Sequence, residues 1–293
     1  MHGIFEIANV PTPAELIEYP KVASIFELLH MGLPTLSGLI LGSWNEEVAS
    51  RVSDYILSRG WSQVVVRSDT RFESRDSPRG GYLCAIPDLG NVIGPLISLG
   101  RVAILLEPIN RYQNQYGLNL MIVAGSGNAL LEIVGPGFDV SDLNRGEITP
   151  HERISLGVHN NRVTPRVLHR DIVTPADYSA SVTHRLAKIG REALHRQVNS
   201  LRQQRGGKLE EIGQDFLQTN GFSRLDQSKY APLPEAYLLR LLSYIRRLPS
   251  DLPVGGPDAH YVVSVSIIGE GKSGRYIFWD VVRSRRKYWI TSP

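Results

Sequence analysis

Near the end of the chain two apolar runs, Tyr261–Ile268 and Tyr276–Val282, are separated only by Gly269-Glu270-Gly271-Lys272-Ser273-Gly274. So short a glycine-rich loop closes a hairpin, and strands joined this tightly pair antiparallel, because a parallel pair needs a crossover of a dozen or more residues. Upstream, Leu39–Leu41, the β-branched run Val64-Val65-Val66 within 63–68, Val102–Leu106, Leu118–Val123 and Leu130–Val134 read as further strands. Helical patterns alternate with them. Lys21–Met31 carries Val22, Ile25, Phe26 and Leu29 at helical spacing and stops at Gly32. Asn45 followed by Glu46 and Glu47 is an N-cap with an acidic first turn, ahead of the stripe Val48, Val52, Tyr55, Ile56. Thr174-Pro175 starts a helical middle third, with Val182, Leu186, Ile189 and Ala193 in phase up to Gly206-Gly207, then Leu209, Ile212 and Phe216. Glu235–Leu248 is apolar on most sides and predicts a deeply packed helix. The expected class is α+β with antiparallel strands.

Several functions are excluded or disfavoured at once. No G-x-x-x-x-G-K-[ST] loop, no G-x-G-x-x-G opening a helix and no G-x-S-x-G elbow occurs. The balance of 32 Lys and Arg against 29 Asp and Glu, formally +3, does not describe a dedicated nucleic-acid binder. The basic cluster Arg283 to Lys287 keeps RNA or DNA as a less favoured partner, since aromatic rings are not interleaved with it. A single cysteine, Cys84, permits no internal disulfide, and neither a Cys/His cluster nor a metal-ligand histidine spacing is present. No apolar run approaches the roughly 20 residues a spanning helix needs, and no basic-then-apolar leader opens the chain. The expectation is a soluble protein of the reducing cytoplasm, with no membrane partner.

Three places hold candidate chemistry. Arg67-Ser68-Asp69-Thr70-Arg71 follows a strand and leads through Glu73 to Pro78-Arg79-Gly80-Gly81. Cations and the free backbone N–H groups of Gly80 and Gly81 suit an anion such as phosphate; a solvated turn with arginines paired to Asp69, Glu73 and Asp76 is the plainer alternative. The loop from Gly135 to Glu147, with Pro150-His151-Glu152 beyond, gathers Asp139 and further carboxylates whose hard oxygens suit Mg²⁺; a surface loop capped by Asp residues fits as well. Asp280 lies on the face of its strand shared with Tyr276, Phe278 and Val282. A carboxylate there must bind a cation, pair with an arginine such as Arg283, or line a cleft.

The order of these features resembles a known family. Lys21-Val22-Ala23-Ser24-Ile25-Phe26 running to Gly32-Leu33-Pro34-Thr35-Leu36-Ser37-Gly38 is similar to the opening of the ATP-binding domain of phosphoenolpyruvate synthase and pyruvate phosphate dikinase. Val65-Val66-Arg67-Ser68 is similar to that family's Val-Arg-Ser-Ser segment, and its mobile glycine loop has a counterpart after Glu73. Ile104–Asn110 with Gly117–Val123 resembles its paired central strands, Gly135–Pro150 its Gly-rich loop, and Tyr276–Arg283 its closing strand. The resemblance implies an ATP-grasp fold of two α+β lobes holding ATP and Mg²⁺ between them. The lobes would span 1–97 and 98–293, the second carrying the helical segment 174–248. It further implies that Lys21 and Arg67 face phosphates, that Glu107 meets adenine and ribose, and that Asp280 sits near Mg²⁺. Three departures accompany it: Ser264-Val265-Ser266 stands where the family has acids, the closing Gln is Asp280, and the glycines before the family's lysine are Tyr19 and Pro20. The family's swivel domain and phosphoenolpyruvate barrel have no counterpart in this sequence. The expected activity is ATP-dependent phosphoryl transfer or ligation to an unknown acceptor, with Lys21, Arg67 and Arg283 as cations and Asp280 and Asp139 as acids. A nucleotide-binding module that no longer catalyses and serves a partner protein is the alternative, favoured by the serines.

Overall fold

The computed structural model describes residues 3–8, 13–71, 82–109, 114–123, 128–135, 140–144, 149–159, 162–174, 232–248, 260–268 and 274–284. By their contacts they form two units, one of Met1–Asn110 with Ile277–Val282 and one of Arg111–Tyr276 with the residues after Val282. The architecture is α+β, and every pairing described below is antiparallel.

In the first unit the strands are β1 (Ile4–Glu6), β2 (Gly38–Leu41), β3 (Gln63–Asp69), β4 (Tyr82–Ala85) and β5 (Val102–Leu106), ordered β1-β2-β5-β3-β4. β5 is central, pairing Leu105 with Leu39 on one side and with Val66 on the other. The helices are α1 (Pro20–His30), α2 (Glu46–Ser58) and α3 (Leu89–Ser98). Asn45 caps α2 by accepting the Val48 N–H at 2.9 Å, and Val48, Val52 and Ile56 enter a core with Leu39, Leu41, Val64, Val66, Leu89, Ile93 and Leu105. Burial of such aliphatic side chains, at about 1.5–3 kcal/mol each, holds the unit together.

The Gly32-to-Gly38 turn has two glycines that no other residue replaces. Gly32 ends the helix signal at φ 68°, in the left-handed region, where its N–H closes onto Leu29 O at 2.8 Å. A Cβ on Gly38 would lie 1.9 Å from the Leu105 carbonyl oxygen, so only glycine lets β2 approach β5 here.

The second unit contains β6 (Asn114–Val123), β7 (Asn128–Val134), a short helix α4 (Val140–Asn144), β8 (Glu152–His159), β9 (Arg162–Ile172), α5 (Glu235–Ile245) and β10 (His260–Ile268). The sheet order is β11-β10-β6-β7-β8-β9, where β11 is Arg275–Ser284 and its residues Ile277–Val282 belong to the first unit. Strands β8 and β9, α3 and β4 are elements that the sequence pattern did not predict. The helix expected over 235–248 ends at Ile245, and it is not apolar-buried all round: Leu241 is fully buried whereas Leu239 is 60% exposed. The other helical signals between 175 and 231 lie outside the described residues.

Candidate functional site

The polar end of β3 is where chemistry gathers. Val64–Val66 bury, and the strand then delivers Arg67, Ser68 and Asp69 at the edge of the core. Asp69 is 1% exposed, a position that demands compensation for a carboxylate. Its Oδ2 accepts the backbone N–H of Lys21 at 2.7 Å and of Val22 at 3.0 Å, and its Oδ1 accepts the Thr70 N–H at 2.9 Å. Helix α1 has no side-chain cap of its own and no acid in its first turn, so Asp69 caps it from another element. Burial pushes the Asp69 carboxyl above the ordinary value of 3.8, opposed by the Val22 and Thr70 N–H groups and by the charge of Lys21.

That cap brings Lys21 to β3, where its Nζ donates to the Ser68 carbonyl at 3.2 Å. Arg67, one residue back, faces Asp280 with Nη2 to Oδ2 at 3.6 Å, side chains 14% and 21% exposed. Asp280 is held from both flanks: Phe278 N–H donates to Pro34 O at 2.8 Å, and Val281 N–H to Oγ of the buried Ser24 at 2.5 Å, one turn beyond Lys21 on α1. At 3.6 Å the Arg67 contact is an ion pair without a hydrogen bond, and Asp280 Oδ1 is buried with no hydrogen-bond partner.

The structure therefore brings Lys21, Arg67 and Asp280 to one place in the first unit. Among the described residues the arginine that meets Asp280 is Arg67. Arg283 belongs to β11, and its side chain lies outside the described residues, as do Gly80, Gly81 and Asp139. Glu107 follows β5, where its carboxylate accepts the Ser37 hydroxyl at 3.3 Å and its N–H donates to Ser37 O at 2.9 Å. Of the solvated-turn alternative, Asp69 departs as a buried helix cap, whereas the exposed Arg71, paired with the exposed Glu18 at 3.0 Å, fits it; Glu73, Asp76 and Arg79 lie outside the described residues. Asp69 itself escaped notice as a site residue, because its partners lie 47 and 48 residues away.

In the second unit, Ser264 takes part in a closed ring of neutral groups. Its Oγ donates to Asn119 Oδ1 at 3.2 Å, Asn119 Nδ2 donates to Asn144 Oδ1 at 2.8 Å, and Asn144 Nδ2 donates back to Ser264 Oγ at 3.2 Å. Glu152, counted among the oxygen ligands near Asp139, is fully buried and committed elsewhere: it accepts from Arg170 Nε and from the Leu233 N–H.

Among the described residues no group of three or more His, Cys, Asp or Glu side chains could hold a metal ion. Asp280 offers a single oxygen, which matches a Mg²⁺ that takes one carboxylate and draws its other ligands from phosphates and water. Among the described residues no helix is long and apolar enough to cross a membrane.

No protein-family model and no curated protein matches the sequence. Among solved structures the chain is similar to the crystal structure of D-cycloserine synthetase DcsG, with a TM-score of 0.30 and 15% identity over 58% of this chain and 68% of that one.

Proposed function

We propose that the chain binds ATP with Mg²⁺ at the Lys21, Arg67 and Asp280 cluster and uses it for phosphoryl transfer or ligation to an acceptor, as an ATP-grasp protein similar to the ATP-binding domain of phosphoenolpyruvate synthase. The observation that carries this reading is the 3.6 Å approach of Arg67 to Asp280, with Lys21 bound to the residue next to Arg67. Phosphoryl transfer asks a protein chiefly for positioned cations and an acid that shares Mg²⁺ with the phosphates. Arg67 supplies a planar donor fork for phosphate oxygens, Lys21 a point charge, and Asp280 Oδ1 an oxygen for the metal. Mg²⁺, when bound, would neutralise charge on the transferred group. Glu107, whose carboxylate accepts the Ser37 hydroxyl, is assigned to adenine and ribose on the resemblance.

A non-catalytic nucleotide-binding module is the second reading, favoured by the neutral ring of Ser264, Asn119 and Asn144 at the position where the resemblance calls for acids. Calorimetric titration with ATP, with and without Mg²⁺, tests binding, and ADP and phosphate release across candidate acceptors separates the two readings. Arg67→Ala should weaken ATP binding about tenfold or more, the value of a charge-assisted hydrogen bond of roughly 1.5–3 kcal/mol, while Arg59→Ala, whose partner is the exposed Glu6, should not. Equal affinities for the two variants refute the assignment.

A further inference from the structure

Helix α1 carries a polar residue on its buried side. It buries Val22, Ser24, Ile25, Phe26 and Leu28, and among these apolar side chains Ser24 is 4% exposed. Helix propensity disfavours serine there, and a buried hydroxyl costs free energy unless it is hydrogen-bonded. Its partner is the Val281 N–H, which donates to Ser24 Oγ at 2.5 Å across 257 residues of chain. Val281 is itself buried, so its N–H needs an acceptor from the protein.

We infer, on the reading of Lys21, Arg67 and Asp280 as the nucleotide site, that Ser24 is a positioning residue for it: through the peptide bond between Asp280 and Val281 it holds the Asp280 carboxylate against Arg67. Side-chain contacts alone leave that carboxylate loosely oriented. The Arg67 approach at 3.6 Å is too long for a hydrogen bond, and Oδ1 has no hydrogen-bond partner. Its direction is therefore set by the backbone that carries it. That backbone is fixed by Phe278 N–H on Pro34 O at 2.8 Å and, one residue from Asp280, by Val281 N–H on Ser24. The Ser24 bond also ties the acid to the cations. The first turn of the same helix carries Lys21, and Asp69 Oδ2, two residues beyond Arg67 on β3, holds the Lys21 and Val22 N–H groups at 2.7 and 3.0 Å. Helix α1 thus spaces the Asp280 oxygen from Lys21 and Arg67. A metal ligand oriented by such an outer contact loses affinity when the contact is removed.

The test is calorimetric titration of the full chain with ATP, with and without Mg²⁺, on Ser24→Ala. ATP affinity without Mg²⁺ should match wild type, because Lys21 and Arg67 remain, while the gain in affinity that Mg²⁺ brings should fall about tenfold or more. Ser24→Thr, which keeps the hydroxyl, should retain that gain. Ser24→Cys, similar in size but only a weak acceptor, should lose part of it and carries the test where the alanine chain does not fold. Asn45→Ala removes the cap of α2 in the same unit and controls for destabilisation alone: its melting temperature should drop and its Mg²⁺ gain should not. A gain unchanged in both Ser24→Ala and Ser24→Cys, or lost equally in Asn45→Ala, while Asp280→Asn abolishes it, overturns the role of Ser24 and leaves the nucleotide site standing. A wild-type chain without Mg²⁺-dependent ATP binding overturns the reading of the site, and the role of Ser24 with it.

Discussion

The Arg67 guanidinium and the Asp280 carboxylate face each other at 3.6 Å, drawn from β3 and β11, with Asp280 Oδ1 left buried and unbonded. A pair this enclosed yet without a hydrogen bond behaves differently according to what else Asp280 holds. If it shares Mg²⁺ with bound nucleotide, Asp280→Asn, nearly isosteric, removes the Mg²⁺-dependent part of ATP binding. Leaving Arg67 without its counter-charge should also lower stability by about 1–3 kcal/mol. The expected result is both effects, read by urea unfolding and by ATP calorimetry with and without Mg²⁺. Destabilisation with intact Mg²⁺-dependent binding confines Asp280 to the ion pair.

Gly38→Ala tests the turn that leads to the site. Its new methyl would meet the Leu105 carbonyl at 1.9 Å, and backbone on a central strand cannot swing aside as a side chain does. Expression should yield insoluble chain, or a soluble form destabilised by about 3 kcal/mol or more, against a small effect for alanine at the partly exposed Thr35.

What the sequence made legible depended on how local the cause is. Asn45, its acidic first turn and the Val48, Val52, Ile56 stripe identify α2 because cap and core face lie within one segment. The Val64–Val66 run marks β3 for the same reason, although the strand runs on through Arg67 and Ser68 to Asp69. β9 was not legible: it is an edge strand with Arg162, Arg166, His169 and Arg170 along it, exposed on both faces for most of its length, so no alternation survives. α3 was hidden by Gly90, Gly94 and Pro95, which read as loop residues yet sit inside a helix over the Ile93 core. The Asp69 cap and the Arg67–Asp280 pair join segments far apart in the chain, and periodicity carries no trace of such partners.

Glu152 and Arg170 provide a test in the second unit. Glu152 is fully buried, and besides Arg170 it accepts the Leu233 N–H at 2.7 Å, while Arg170 Nη2 donates to Leu233 O at 2.7 Å. Together they fasten the segment that enters α5. Glu152→Ala should cost about 3–5 kcal/mol, since it strands both Arg170 and a buried N–H, and Glu152→Leu with Arg170→Leu should recover part of that loss. Denaturant unfolding of the single and double variants reads it. An additive double variant would show that the two side chains act separately.

Asp69 gives the pH dependence. Because burial raises its folded-state value above 3.8, the folded chain holds this proton more tightly than the unfolded chain does. Its protonation therefore contributes stability that is complete below the unfolded value and is lost as pH rises through the folded value. A non-titrating Asp69→Asn chain lacks this contribution, so the stability of wild type minus that of Asp69→Asn should fall as pH rises through the folded value and level off above it. Asp69→Ala should cost about 1–2 kcal/mol more than Asp69→Asn, since alanine leaves the Lys21 and Val22 N–H groups at the start of α1 without an acceptor. Carboxyl-carbon NMR titration of the folded chain measures the folded value directly. A midpoint at or below 3.8, or a difference curve that rises with pH, would show that the N–H bonds outweigh burial, and Asp69 would then be a charged cap in the ordinary sense.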